Sequence, residues 1–264
     1  MVRTWTAFLA VLALLPALCA EDKPKQRPAT ITGEYRALEA EYVKAEKESD
    51  QAYKKAKTDA ERQKVRAIYL RTRSEFTGRF LTFAEEHAKD EEALLALFHV
   101  LHPDTEAEAR YLDAAARLIL KDHIASDRLT NPPILQMVDD SPAAERLLRG
   151  MLEKSPHRAI RAQAGLRLGL ILNGRAHPRQ AAVRPPGNAA ALAKEAEELF
   201  ERVAREYVGI GELAEKAKSE LFEMRHLAVG KTAPDIRGKD GDERDFKLSD
   251  YRGKVVVLDF WAEW

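Results

Sequence analysis

The chain has 264 residues, of which 43 are basic and 43 are acidic, so its formal charge is zero; a third of it is charged and 45% is hydrophobic. This charge balance gives no support to nucleic-acid binding, and the composition excludes an integral membrane protein. The length is sufficient for one or two domains, each with its own hydrophobic core.

The first 20 residues have the features of a secretory signal peptide. Arg3 supplies the positive start, an apolar run from Trp5 to Leu15 follows, Pro16 breaks the run, and small residues near Ala20 offer a cleavage site. The run is shorter than the ~20 apolar residues that span a bilayer. The sequence therefore predicts an exported protein of the periplasm or cell envelope, with no membrane span beyond the signal peptide. An uncleaved N-terminal anchor is the alternative.

Cys19 is the single cysteine in the sequence. It lies at the edge of the signal peptide and is predicted to leave with it, so residues 21 to 264 contain no thiol. A lipoprotein would need a small residue directly before this cysteine, where Leu18 stands. Thiol–disulfide exchange requires a thiolate nucleophile, which this stretch does not supply.

Residues 21 to 33 are polar and contain two prolines, which is typical of a flexible linker. From residue 34 to 227 the apolar residues recur at helical spacing, and capping residues, prolines and glycines separate the segments. The first two segments predict an antiparallel helical hairpin, whose many charges are interpreted as a solvated face. The predicted helices cover 34–57, 58–87, 91–101, 105–121, 141–154, 155–174, 189–207 and 212–227.

Residues 164 to 221 resemble a tetratricopeptide-type helical repeat, although no clean 34-residue period is visible. Small residues such as Gly169 would let helices approach closely, and large ones such as Phe200 would fill the gap. We therefore expect a helical-repeat-like domain that binds a protein partner.

Few other residues suggest a site. His99 and His102 stand three residues apart, but no second pair of ligands has metal-binding spacing, so we favour ordinary packing for both. Asp139 and Asp140 are interpreted as loop residues. The sequence predicts neither a metal site nor a cofactor. A solvated helix face is predicted for the acidic residues Glu195, Glu197, Glu198 and Glu201.

In the last 36 residues the helical spacing of apolar residues gives way to patterns typical of short strands and turns. An Asp-Gly-Asp turn at 240–242 separates two short extended stretches, and Ser249 to Gly253 offers a cap, one helical turn and a glycine stop. The apolar, β-branched run from Val255 to Phe260, interrupted by Asp259, predicts a central strand buried on both faces.

This C-terminal segment resembles the start of a redoxin domain. The matching blocks are Gly230 to Asp235, Lys247 to Lys254 and Val255 to Trp264, in the family's order and spacing. The family includes thioredoxin-like disulfide reductases of the TlpA type and the alkyl hydroperoxide reductase/thiol-specific antioxidant superfamily. The final residues are similar to the disulfide-reductase branch, because the Pro and Thr that precede a peroxidatic cysteine are absent.

The resemblance implies roles for three residues. Asp259 would be the carboxylate that accepts a proton from the second cysteine, and Trp261 and Trp264 would flank the active site. The family's Cys-x-x-Cys is expected directly after Trp264, so the sequence is interpreted as a fragment that lacks the redox cysteines. The implied partners are a disulfide-bearing protein substrate or a thiol reductant.

Three functions follow from these patterns. The first is an exported thiol–disulfide oxidoreductase with a helical domain at 34–227 and the start of a redoxin domain at 228–264. The alternatives are a helical scaffold or protein-binding module with a vestigial redoxin tail, and a thiol peroxidase of the same superfamily. The predicted fold class is mainly α, followed by an incomplete thioredoxin-like domain with one hairpin and one central strand. A single unpaired strand cannot bury its apolar side chains, so we expect Val255 to Trp264 to lack a core of its own.

Overall fold

The structure is a computed structural model that describes residues 30–101, 109–130, 135, 140–178, 185–239 and 241–259. Within these ranges it contains eight α-helices and one two-stranded sheet, so the mainly α fold with an incomplete redoxin-like end is confirmed. No helix in the described ranges is both long enough and apolar enough to span a bilayer. The predicted signal peptide lies outside them.

A long helical hairpin opens the described chain. Helix α1 spans Ile31–Lys55 and helix α2 spans Asp59–Glu86. The break predicted at Thr58 is confirmed, because Thr58 and Glu61 form a capping box: each side chain accepts a hydrogen bond from the other residue's backbone N–H, at 3.2 and 3.1 Å. Helix α1 begins three residues earlier than predicted, since the Thr30 hydroxyl caps it by accepting from Gly33 N–H.

The middle of the chain consists of shorter helices. The Ser141 hydroxyl accepts from Ala144 N–H at 3.1 Å, and Pro142 occupies the first turn, so the predicted start is confirmed. The following helix was predicted from Ser155 but begins at Arg158, because Ser155 lies in extended backbone and ends the preceding helix. The elements are α3 (Glu91–Val100), α4 (Ala109–Leu118), a π-helical turn (Ile119–His123), a 3₁₀ turn (Asp127–Thr130), α5 (Pro142–Lys154) and α6 (Arg158–Ala176).

The last three helices pack closely in sequence order. Helix α7 spans Ala189–Glu206, and α8 spans Leu213–Phe222 and continues into a π-helical turn, Glu223–Leu227. Gly169 on α6 lies against Phe200 on α7: a Cβ placed on Gly169 would be 2.6 Å from Cε1 of the phenyl ring. The close approach predicted at this small residue is therefore confirmed.

One hydrophobic core joins the helices from α1 to α8. At the base of the hairpin, the Phe80 ring stacks on the His99 imidazole with 4.1 Å between centroids and 7° between planes. Tyr42 meets both rings edge-on. His99 is thus packed among aromatic rings as predicted, while His102 lies outside the described residues. The fully buried large side chains are Phe80, Phe200, Leu94, Leu97, Leu101, Leu112, Ile119, Leu129, Leu135, Leu147, Leu148 and Met151.

An ion-pair network crosses three helices. Arg149 on α5 donates to Glu145 at 2.9 Å and to Glu195 on α7 at 2.5 Å, and Arg175 at the end of α6 pairs with Glu145 and Asp140. Burial opposes the charge on Glu145, but hydrogen bonds from both arginines outweigh it and hold the pKa of Glu145 below its usual value. Glu195, predicted to lie on a solvated face, keeps 36% of its side chain exposed and also faces a cation on the neighbouring helix.

Candidate functional site

The redoxin-like segment begins with a small antiparallel hairpin. Strand β1 (Arg237–Lys239) pairs with strand β2 (Asp245–Lys247), and Gly238 lies opposite Phe246. A Cβ on Gly238 would stand 3.1 Å from the Phe246 ring, so the ring covers the glycine. The hairpin predicted around residues 240–242 is confirmed, with Glu243 in the left-handed region at φ 60°.

Hydrogen bonds join two of the family's sequence blocks. Asp235 accepts from the Ser249 backbone N–H at 2.8 Å and from the Ser249 hydroxyl at 3.1 Å, across 14 residues. Leu248 N–H donates to the Ile236 carbonyl at 2.8 Å and extends the same connection. The hydrogen bond from the Ser249 backbone is the main reason that the pKa of Asp235 is lowered. The Pro-Asp block therefore anchors the turn that leads to the predicted central strand.

Replacing Asp235 with alanine should release this turn. We expect the Ser249 amide to exchange hydrogen at the rate of an unprotected amide, because both bonds from Ser249 lose their acceptor. In the unmodified chain the carboxylate accepts these bonds while it is ionised, so protection of Ser249 should persist below the usual pKa of an aspartate and be lost as the pH falls through the lowered pKa of Asp235. Hydrogen exchange measured by NMR from acidic to neutral pH tests both statements.

The control is Asp245→Ala, because Asp245 lies in the same hairpin with its side chain exposed. It should leave the Ser249 amide protected. Equal protection in the Asp235→Ala chain and the unmodified chain would contradict the anchoring role.

A short 3₁₀ turn, Leu248–Tyr251, follows the hairpin. Asp250 accepts from Lys247 N–H at 2.9 Å and so caps the turn at its start. Gly253 has φ 82°, a left-handed backbone conformation that residues other than glycine rarely adopt. The Lys254 N–H donates to the Tyr251 carbonyl at 3.0 Å. The predicted helical turn and glycine stop are confirmed, whereas the cap predicted at Ser249 was wrong, because the turn begins at Leu248 and Ser249 lies inside it.

The central strand predicted from Val255 does not form within the described residues. Residues 255 to 259 pair with neither β1 nor β2, and the exposed fraction is 98% for Val255 and 88% for Val257. The physical reason is that a strand needs a neighbour for its backbone hydrogen bonds. This exposure agrees with the expectation that the stretch lacks a core of its own.

Of the three site residues implied by the resemblance, Asp259 alone is among the described residues. Asp259 is exposed at the end of the described chain, and Trp261 and Trp264 lie outside the described residues. Across the described ranges, no group of three His, Cys, Asp or Glu side chains is arranged to hold a metal ion.

One buried polar residue had no signal in the sequence. His123 is 5% exposed, lies in the π-helical turn after α4, and its Nε2 atom is buried without a hydrogen-bond partner. Burial lowers the pKa of His123, so the imidazole is neutral at neutral pH. In the sequence, a histidine at helical spacing between apolar residues does not predict that its imidazole is buried without a hydrogen-bond partner.

Comparison with known proteins identifies the segment that contains the hairpin. The sequence profile of the AhpC/TSA family matches residues 229–264. That segment is redoxin-related. Two relatives named "Thiol-disulfide oxidoreductase ResA", from Geobacillus thermodenitrificans (strain NG80-2) and Geobacillus kaustophilus (strain HTA426), are each 50% identical to the chain over 42 residues.

These similarities are local. The matched stretch is 16% of this chain, and the chain spans about a quarter, 24%, of the length of each of the two curated relatives. No solved structure gives a significant match. The redoxin relationship therefore describes the C-terminal segment.

Proposed function

We propose that this chain is part of an exported thiol–disulfide oxidoreductase, in which a helical domain at 34–227 precedes a redoxin domain that starts at residue 228. The observation that carries the proposal is the 50% identity over 42 residues with two thiol-disulfide oxidoreductases. The AhpC/TSA match at residues 229–264 supports it, as does the bond between Asp235 and Ser249 that joins two of the family's blocks.

The proposed chemistry needs two thiols that follow Trp264 in the full protein. A thiolate of the first cysteine attacks a substrate disulfide, forms a mixed disulfide and releases one substrate thiolate. The second cysteine then loses its proton to Asp259 and attacks the mixed disulfide. The substrate leaves as a dithiol, and the two enzyme cysteines become a disulfide, so two electrons pass from enzyme to substrate.

Asp259 would act as the general base only when the rest of the domain covers it. In the described chain its side chain is exposed, with Val257 and Leu258 beside it also exposed. Additional strands on both sides of this stretch would bury the carboxylate, and burial raises the pKa of a carboxyl group toward the range of a base that works near neutral pH.

Replacing Asp259 with asparagine in the full protein should slow disulfide reduction by about 100-fold at neutral pH, because the second cysteine loses its base. The deficit should shrink above about pH 9, where a thiol ionises without help. The measurement is the rate of insulin reduction, with dithiothreitol as the electron source, as a function of pH. Asp245→Asn, an exposed carboxylate in β2, is the matched control and should retain the unmodified rate.

Two measurements test the proposal as a whole: the DNA sequence past the Trp264 codon and the intact mass of the exported protein. A reading frame that continues into Cys-x-x-Cys, and a mature protein that starts near Glu21, would support an exported oxidoreductase. A frame without that pair and no insulin reduction would overturn it in favour of the helical scaffold with a vestigial tail. A single cysteine in a Pro/Thr context with peroxide consumption would indicate the thiol peroxidase.

A further inference from the structure

Helix α2 carries a regular seam on the side facing solvent. Its members are spaced alternately four and three residues apart, so they lie along one face of the helix, and Ile68 is the one apolar side chain among them. All are exposed except Gly78, which is half-buried. The side chains that face α1 and α3 are different ones, such as Phe76 and Phe80. We call this set the outer seam: Lys64, Ile68, Arg71, Glu75, Gly78, Thr82 and Glu85.

The charge of the hairpin changes sign along its length. From residue 43 to residue 73, which form the tip, ten residues are Lys or Arg and five are Asp or Glu. In the base, residues 31–42 and 74–86, two residues are basic and six are acidic. The hairpin therefore has a net charge of +5 at its tip and −4 at its base.

The carboxylates of the tip are already engaged within the hairpin. Asp50 pairs with Lys54 at 2.6 Å, Asp59 with Arg62 at 3.2 Å, and Glu61 accepts from two backbone N–H groups. Glu46 and Glu48 likewise have partners within α1. The surplus positive charge of the tip is therefore presented to the outside.

A groove lies along the base part of the outer seam. It has a volume of about 700 Å³ and runs on α2 between Leu38 of α1 and Tyr111 of α4. Gly78 contributes no side chain to it, and the Tyr111 hydroxyl lies 3.4 Å from the position that a Cβ on Gly78 would take. Glu75, Glu85 and Glu86 outnumber Arg79 on its rim and make it acidic. Ile68, 52% exposed on the same seam in the basic half, has the shape and polarity to enter such a groove.

We propose that two copies of this chain form a dimer by packing their outer seams antiparallel. A seam whose halves have opposite charge is complementary to itself when one copy is reversed. In the register that alternates the two kinds of seam position, Ile68 of each copy lies on Gly78 of the other, and Arg71 faces Glu75. Lys64 then lies beside Thr82 and within reach of the acidic residues at the base.

The size of the contact agrees with a weak dimer. The seam from residue 64 to residue 85 is about 30 Å long, by the rise of an α-helix. Ile68 is the one apolar side chain of the seam, so the contact has little hydrophobic core and belongs at the weak end of specific interfaces. We expect a dissociation constant in the micromolar range, about 1 to 100 μM.

An anionic surface, such as a phospholipid membrane, is the competing partner for a basic tip. It would explain the tip but not the acidic groove on the same seam, nor the exposed Ile68 at matching spacing. A second copy explains all three features with one contact. The proposal concerns the helical hairpin and does not depend on the chemistry of the redoxin segment.

The test is sedimentation equilibrium of the chain with paired charge reversals. Arg71→Glu and Glu75→Arg should each weaken the dimer about tenfold, because each places like charges opposite one another at two symmetric points. The double variant restores opposite charges and should recover the affinity of the unmodified chain. Raising the salt concentration to about 1 M should also weaken the dimer, since the screening length falls to about 3 Å.

Lys55→Glu is the matched control, because it removes the same kind of charge from the tip outside the outer seam. It should leave the dimer nearly unchanged, and circular dichroism should give the same melting curve for all variants with these exposed substitutions. A chain that stays monomeric at about 100 μM would overturn the proposal. Single charge reversals that leave the dissociation constant unchanged would also overturn it. Binding to anionic phospholipid vesicles that Lys55→Glu and Arg71→Glu weaken equally, without self-association, would assign the tip to a membrane instead.

Discussion

Gly169→Leu should destabilise the helical domain by about 1 to 3 kcal/mol or more, because the new side chain has no space between α6 and α7. Gly169 is buried, and even a Cβ at this position would lie 2.6 Å from Cε1 and 3.0 Å from Cδ1 of Phe200. Phe200 itself has no exposed surface and cannot rotate into solvent. The two helices would have to separate, which would also disturb the neighbouring contact between Gly165 and Val203. Urea unfolding followed by circular dichroism measures the loss.

The same substitution at Gly174 is the control. Gly174 lies in the same helix, is exposed, and has no atom within 4 Å of the position its Cβ would take. There, leucine should stabilise the domain by up to about 1 kcal/mol, because it has a better helix propensity than glycine. A loss of stability at Gly169 and a gain at Gly174 would identify the close approach of α6 and α7 as the cause of the loss. A destabilisation of equal size at both positions would contradict the packing of α6 on α7.

The helices could be predicted well from the sequence because their boundaries are local. Thr58 and Ser141 cap the following turn with their own side chains, and Pro142 fixes the backbone of the first helical turn. Each of these interactions joins residues no more than four positions apart, so it can be predicted without knowing how the rest of the chain folds. The start predicted at Ser155 was wrong because the same two residue types, Ser and Pro, also fit the extended connection between two helices.

Contacts between distant parts of the chain were not predictable in the same way. The ion pair between Arg149 and Glu195 joins residues 46 positions apart, and the sequence near either residue does not indicate its partner. The buried imidazole of His123 is another example, since its burial results from helices that meet there.

The candidate site shows how a local signal can be right while the structure around it is incomplete. The hairpin and the glycine stop at Gly253 follow from local sequence and are present. The strand predicted from Val255 depends on neighbouring strands for its hydrogen bonds, and in the described residues it has none. Burial of Asp259 depends on the same neighbours, so its proposed role is tested in the full protein.

Phe80→Ala should cost about 3 to 5 kcal/mol of stability, because it leaves a cavity where three helices meet. Phe80 is 1% exposed on α2 and contacts both Tyr42 of α1, at 5.6 Å between ring centroids, and His99 of α3. Its removal therefore weakens the attachment of the whole hairpin to the rest of the domain. Phe80→Leu keeps part of the volume and should cost roughly half as much, within about 1 to 2.5 kcal/mol.

Phe222→Ala is the matched control, because Phe222 also contacts a histidine ring, that of His226 at 5.0 Å between centroids and a 43° tilt, but is 48% exposed. It should cost less than about 1 kcal/mol, since little apolar surface leaves the core. Urea unfolding of all three variants separates burial from contact with a histidine ring, because both phenylalanines have that contact and only one is buried. Equal losses at Phe80 and Phe222 would show that the hairpin does not depend on Phe80. A large loss at Phe80 alone would identify the base of the hairpin as the part that fixes α1 and α2 to the domain.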